Sequence, residues 1–138
     1  MNSQNATFQF ELVSPERKLV SELAWQVTLP GDMGDLGVRA GHMALVVSMR
    51  TGVVTIEKSE DGNKYRVFVV GGFADIGSDH CTILAEQAFE IANLDAAKLE
   101  QELKDLNDDL SIASDDSERT KIKERQNLVS NMLAALNA

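Results

Sequence analysis

The chain has 138 residues, 43% of them apolar, with 22 acids against 13 bases and a net charge of −9. That length fits one compact domain, or a domain of about 90 residues with an appendage. The acidic balance argues against nucleic acid as a partner, which rewards clustered Lys and Arg, and against direct adsorption to anionic lipid.

No apolar run approaches the ~18 residues of a membrane span, so work at a membrane is expected to go through another protein. The opening segment MNSQNATFQFE has no basic stretch followed by an apolar core and no Arg enrichment, so neither a secretory signal nor a transit peptide is expected.

Residues 6 to about 90 read as strands. In TFQFELV, Phe8, Phe10 and Leu12 alternate with Thr7, Gln9 and Glu11, the period of a half-buried strand. SELAWQVTL puts Leu23, Trp25, Val27 and Leu29 on one face, and HMALVVSM is a fuller run suited to burial on both sides. GVVTIEKS and KYRVFVV flank Glu60-Asp61-Gly62-Asn63, where Asp-Gly predicts a two-residue hairpin turn with positive φ. FADI and CTILAEQ follow. Many short strands with no helix between them predict a β-sandwich or flattened barrel.

The period changes near residue 93. Leu99, Leu103, Leu106, Leu110 and Ala113 step by four and three, an amphipathic helix with Asp95 as its N-cap. SDDS, Ser114 to Ser117, reads as a break. A second helix then carries Ile122, Val129, Leu133 and Leu136 on one side, making an antiparallel hairpin. Residues 95–118 hold nine acids and two lysines, while residues 119–138 hold Arg119, Lys121, Lys123 and Arg125 against Glu124. That asymmetry favours attraction between the helices; its other reading is a basic helix that leaves to meet an acidic partner.

The stretch PGDMGDLGVRAGH, Pro30 to His42, is the densest candidate for chemistry. It lacks the Gly-Lys-Ser/Thr ending of a phosphate loop and leads into a strand, so no helix N-terminus follows to hold a pyrophosphate. Asp32 and Asp35 lack the closing Glu of a calcium loop. His42 and His80 have no partner at ligand spacing, so no metal site is expected; His42 is expected to make a structural hydrogen bond. The single cysteine, Cys81, reads as a small buried residue. No catalytic constellation and no cofactor site emerge. Gly31, Gly34, Gly37 and Gly41 imply several positive-φ or close-approach positions. A loop so specified suits docking, with Met33, Leu36 and Val38 at its tip.

Three segments together resemble the epsilon subunit of bacterial F-type ATP synthases: FELVSPERKL, PGDMGDLGVRAGHMALV and VFVVGGFADIGSDHCTILAEQA. The resemblance covers essentially the whole length. It implies a non-catalytic subunit with an N-terminal β-sandwich of about ten strands in packed sheets, over residues 1–90, and a helical hairpin over residues 91–138.

In that family the sandwich binds the gamma subunit of the central stalk and rests on the ring of c subunits. The subunit helps couple proton translocation to rotation and ATP synthesis. In some members the hairpin extends toward the alpha and beta subunits and inhibits hydrolysis. The implied location is peripheral, on the cytoplasmic side of the bacterial inner membrane, with membrane association through the complex alone.

By position, the loop of Asp35, Leu36, Gly37, Val38, Arg39 and His42 is expected to face the c ring. Ala40 stands where the family has Pro, which loosens the turn. Arg119, Lys121, Lys123 and Arg125 are the expected regulatory residues of the hairpin. The ATP-binding motif of some members is degraded here to Leu94, Asp95, Lys98 and Leu99, so weak or absent ATP binding is expected: lysine loses the planar fork that grips a phosphate twice. The alternative reading is a β-sandwich protein-binding module whose helical hairpin oligomerises.

Overall fold

Phe8, Phe10 and Leu12 are buried along the first strand, β1 (Phe8–Val13), and Gln9 is exposed, as their alternation requires. A computed structural model describes residues 6–137. MNSQN, part of the segment in which no targeting signal is expected, and Ala138 lie outside the described residues. Two units divide the chain, one ending at Glu90 and the other beginning at Ile91.

The first unit continues through β2 (Lys18–Ala24), β3 (Gln26–Gly31), β4 (Gly34–Arg39), β5 (Leu45–Met49), β6 (Gly52–Glu57), β7 (Lys64–Ile76) and β8 (His80–Glu90). Their order is β2-β1-β8-β7-β5-β3-β4, with β6 bridging β3 and β7. Only the β1–β8 pair is parallel among the described strands. The inner faces enclose one core that joins Phe10, Leu12 and Val20 from one side to Val27, Leu29 and Val38 from the other. This is a β-sandwich.

Eight strands lie among the described residues, rather than about ten, and two of their boundaries differ from the sequence expectation. KYRVFVV and FADI run as the single strand β7, and SELAWQVTL is cut in two at Trp25, whose N–H donates to the Glu57 carbonyl at 2.8 Å. The cut shifts the phase by one residue. Ala24 is buried before it and Val27 after it, so Leu23 is turned outward, not onto the face of Val27 and Leu29.

A second phase shift crosses three strands at one level. Inward residues are Val67 and Val69 in the first half of β7 but Ala74 and Ile76 in the second; Gly71 and Gly72 between them have φ of 62° and 119°. β5 and β6 pair with the same edge of β7 in one continuous register, Leu45↔Ile76 through Glu57↔Lys64, and are interrupted opposite those glycines. Their inward residues likewise change from Val47 and Met49 to Val54 and Ile56. The sheet folds over itself along this line. Because β5 is covered on one face only, Val46 is exposed, and burial on both sides does not occur.

The Asp61-Gly62 hairpin turn is also replaced. Glu57 and Lys64 are the last pair, leaving a six-residue connection in which Gly62 N–H donates to Ser59 O and no residue has positive φ.

The second unit opens with a 3-10 turn, Ile91–Asn93, followed by α1 (Ala96–Ile112) and α2 (Asp116–Leu136). Asp95 caps α1, its carboxylate accepting from the N–H groups of Ala97 and Lys98 at 3.0 and 3.3 Å. Asp115 caps α2 through the Ser117 N–H. The break is therefore Ala113–Asp115, shorter than SDDS, because Asp116 and Ser117 already belong to α2.

Candidate functional site

The glycine-rich stretch is an edge strand and its turn. β3 runs through Gly31, Asp32 and Met33 turn the chain, and β4 returns in register from Gly31↔Gly34 to Gln26↔Arg39. Among the described residues β4 pairs with β3 alone. Asp35 to Arg39 therefore form a strand about 13 Å long, and the expected single loop from Asp35 to His42 is not formed. Gly34 and Gly41 have positive φ; Gly31 and Gly37 do not, and a side chain at Gly31 would collide with the Gly34 carbonyl.

Strand alternation sorts the expected contact residues. Asp35, Gly37 and Arg39 face outward, Leu36 packs against the core, and Val38 is fully buried. Val38 is thus a core residue whose side chain faces away from any docking partner. Of the three apolar groups expected at the tip, Met33 alone is fully exposed.

Both ends of the strand are fixed by contacts from elsewhere. At the turn, Arg50 donates from Nη1 to the Gly31 carbonyl and from Nη2 to Asp35 Oδ1 at 2.6 Å. At the other end the Arg39 guanidinium lies over the Trp25 ring, 4.3 Å from its centroid. His42 follows, half-buried, with Nδ1 2.8 Å from the Met43 carbonyl, which puts the proton on Nδ1. Gly41 N–H donates to Ser78 O at 2.7 Å, tying the turn that carries Ala40 to the β7–β8 connection. Arg50 has no local signal in the sequence, since 15 residues separate it from Asp35.

An apolar surface lies on the opposite-phase face of β5, β7 and β8, and sequence reading missed it. Val46, Phe73 and Leu84 are 69%, 56% and 54% exposed, and Phe73 and Leu84 are cross-strand partners. A groove of about 310 Å³ beside them is bordered by Val13, Pro15 and Gly72. The available signal is Leu84 in a polar phase: it alternates with the buried Ile83 and Ala85.

The hairpin's basic residues divide. Arg125 places its fork on Glu102, with contacts of 2.5 and 3.1 Å, and Arg119 Nη1 donates to the Leu110 and Ala113 carbonyls at 2.9 and 3.1 Å. Lys121 and Lys123 are exposed. The Arg125 hydrogen bond, with its charge, outweighs partial burial and holds the Glu102 carboxyl below its ordinary range. Of the positions expected to be a degraded ATP motif, Asp95 is engaged as a helix cap and Lys98 is exposed.

Cys81 is buried, and burial followed by the charge of Asp75 pushes its thiol up to about 12, so it stays protonated at neutral pH. His80 lies near Asp79 and Asp75 at 3.1 and 3.9 Å, but no group of three or more His, Cys, Asp or Glu is placed to hold a metal among the described residues.

Comparison with known proteins agrees with this arrangement. Residues 7–91 match the family model described as the ATP synthase, Delta/Epsilon chain, beta-sandwich domain. An ATP synthase epsilon chain of Mesorhizobium japonicum is 42% identical over 117 residues, 85% of this chain and 86% of that one. One of Rhodospirillum rubrum is 37% identical over 131 residues, 94% of this chain and 96% of that one.

Two solved structures share the fold. A chain of the Euglena gracilis mitochondrial ATP synthase OSCP/F1/c-ring structure superposes with a TM-score of 0.79 at 24% identity, covering 95% of this chain and 82% of that one. One from the Tetrahymena thermophila mitochondrial ATP synthase central stalk/c-ring gives 0.64 at 14%, covering 96% and 98%. On the sandwich match and the relatives that span both units, the chain belongs to the epsilon-chain family of ATP synthase, whose members are subunits of that complex and not themselves catalytic.

Proposed function

We propose that this chain is a rotor component of the central stalk of an F-type ATP synthase, where it joins the gamma subunit to the c ring and helps couple proton translocation to ATP synthesis. The observation that carries the reading is the match over 131 residues to an epsilon chain, which runs through sandwich and hairpin alike. A generic binding module with an oligomerising hairpin has no such support.

Two outward surfaces of unlike chemistry suit two neighbours. Asp35, Gly37 and Arg39 line a polar edge that continues to His42 and suits the polar loops of the c ring. Val46, Phe73 and Leu84 form an apolar face suited to gamma, because permanent subunit contacts are the apolar ones. No described helix is long and apolar enough to cross a membrane, in keeping with a peripheral place on the cytoplasmic side of the bacterial inner membrane, reached through the complex. Arg119, Lys121, Lys123 and Arg125 are the groups of the hairpin that would meet acidic surfaces of alpha and beta and restrain hydrolysis.

Reconstitution of the ATPase with the full chain and with a chain truncated after residue 92 tests this. Both forms are expected to assemble with gamma and the c ring and to support proton pumping, and hydrolysis is expected to rise on truncation. Failure of the full chain to join gamma and the c ring overturns the rotor reading; unchanged hydrolysis removes the regulatory one. Saturable ATP binding by the isolated chain at millimolar concentration or below would refute the reading of Asp95 and Lys98 as a degraded site.

A further inference from the structure

The direction of the peptide groups along β4 is set by Pro30. Proline has no N–H, and the Pro30 carbonyl accepts from the Arg50 N–H at 2.9 Å, on the side away from β4. Pro30 and Asp35 are therefore partners in the β3–β4 register that exchange no hydrogen bonds. Antiparallel pairs alternate between bonded and unbonded. Leu36 and Val38 thus bond to β3, and the N–H and C=O groups of Asp35 and Gly37 point away from it. The Arg39 carbonyl, next in that alternation, accepts from the His42 N–H at 3.2 Å and not from β3. Among the described residues no strand pairs with β4 on that outer side.

The charges on this edge are self-complementary. Asp35 and Arg39 lie two positions to either side of Gly37, all three on the outward face. A second β4 laid antiparallel about a two-fold axis at Gly37 sets Asp35 of each copy opposite Arg39 of the other, because a two-fold contact repeats every pairing both ways. An edge guarded against association carries one sign of charge, which repels its own copy; this edge carries opposite signs, evenly spaced about the axis. We propose that β4 is a pairing edge for a second copy of this chain, joined by the outer peptide groups of Asp35 and Gly37 and by two Asp35–Arg39 ion pairs between the copies. Gly37 on the axis has no side chain to obstruct the approach. Neither charge has to leave its present contact: Asp35 keeps Arg50 on Oδ1 with its side chain still 67% exposed, and Arg39 stays over the Trp25 ring. The strand is short and the net charge of −9 on each copy opposes the contact, so it falls in the weak class of interfaces. It covers the edge proposed for the c ring, and only that overlap rests on the proposed function.

Sedimentation of the full chain at about 0.15 M salt is expected to show monomers and dimers, with a midpoint between ~10 µM and ~1 mM. Asp35→Arg and Arg39→Asp each put like charges at both cross-strand positions and are each expected to weaken self-association about tenfold or more. Mixed in equal amounts, the two variants restore opposite charges and are expected to pair with each other as the parent pairs with itself. Amide exchange reads the edge without any variant. The N–H groups of Asp35 and Gly37 are expected to slow as the chain concentration rises, while those of Leu36 and Val38, already bonded to β3, do not change. A parent chain still monomeric at ~1 mM, single variants that associate like the parent, or a mixture no better associated than the singles would overturn the proposal. So would species larger than a dimer, because a two-fold contact uses both edges at once, or Gly37 exchange that ignores concentration. Added c rings are expected to compete with the dimer; a dimer they leave intact would remove this edge from the c-ring contact and leave the self-pairing standing.

Discussion

Arg50 and Asp35 close the turn between β3 and β4 from outside that hairpin, with Arg50 Nη2 2.6 Å from Asp35 Oδ1 while Nη1 of the same guanidinium donates to the Gly31 carbonyl. Arg50 also donates its backbone N–H to the Pro30 carbonyl at 2.9 Å, so a residue beyond β5 holds β3 by both main chain and side chain. The acidic position expected to face the c ring is thus pre-oriented by a cation of its own chain.

The two contacts differ in worth. An exposed ion pair contributes about 0–1 kcal/mol, and the part-buried hydrogen bond to Gly31 about 1 kcal/mol more. Arg50→Ala is therefore expected to lower stability by about 1–2 kcal/mol and Asp35→Ala by less than ~1 kcal/mol, in urea unfolding. Arg50→Lys is expected to recover less than half of the loss, because an ammonium has no fork to reach both oxygens. Equal losses at the two positions would show that the carbonyl contact contributes nothing.

Val38 and Met33 sit five residues apart on opposite sides of one function. Val38→Ala removes buried methyls from the core and is expected to cost about 1–3 kcal/mol in unfolding. Met33→Ala, at a fully exposed side chain, is expected to change stability by less than ~0.5 kcal/mol while weakening co-sedimentation with c rings. The opposite pattern would place Val38, rather than Met33, in the contact.

Gly72 and Gly37 separate necessity from habit. A Cβ at Gly72, where φ is 119°, would lie against the Leu84 carbonyl oxygen and the Ala85 backbone, and Gly72→Ala is expected to cost more than ~4 kcal/mol or prevent folding. Gly37 has no positive φ, and a Cβ there would come no nearer than 4.0 Å, to Gln26 Nε2. Gly37→Ala is expected to be neutral or to raise stability by about 0.4–1 kcal/mol, read from the unfolding midpoint.

Acid should release the hairpin through Glu102. Arg125 holds its carboxyl below the unfolded value of 4.5, so its contribution is full above pH 4.5 and disappears as pH falls through the folded value. The ratio of α2 exchange rates between Glu102→Gln and the parent chain is expected to exceed one at about pH 6 and to approach one near pH 3. A ratio that is constant with pH would show that Glu102 does not help hold α1 to α2.

Legibility varied by element. Phe8, Phe10 and Leu12 in β1, the Asp95 cap and the helical stripe through Leu99 and Leu103 were all readable, because each depends on neighbours within a turn or two along the chain. The phase shifts at Trp25 and at Gly71–Gly72 were hidden. A run of apolar residues has no visible phase when both faces carry them, and which face turns inward is set by strands far away in sequence. Val38 was misplaced for that reason, and so was Val46.

Local periodicity and the three family segments therefore sufficed for the two-part architecture and the family, since strand and helix periods and turn chemistry are short-range properties. Long-range pairing was needed for everything that distinguishes one surface from another. β3 pairing turned a glycine loop into an edge strand, Arg50 reached Asp35 across 15 residues, Phe73 met Leu84 on an outward face, and Arg125 reached Glu102 across 23. Contacts between residues so far apart exist only after the core has closed, because closing the intervening chain costs entropy that no single exposed contact returns.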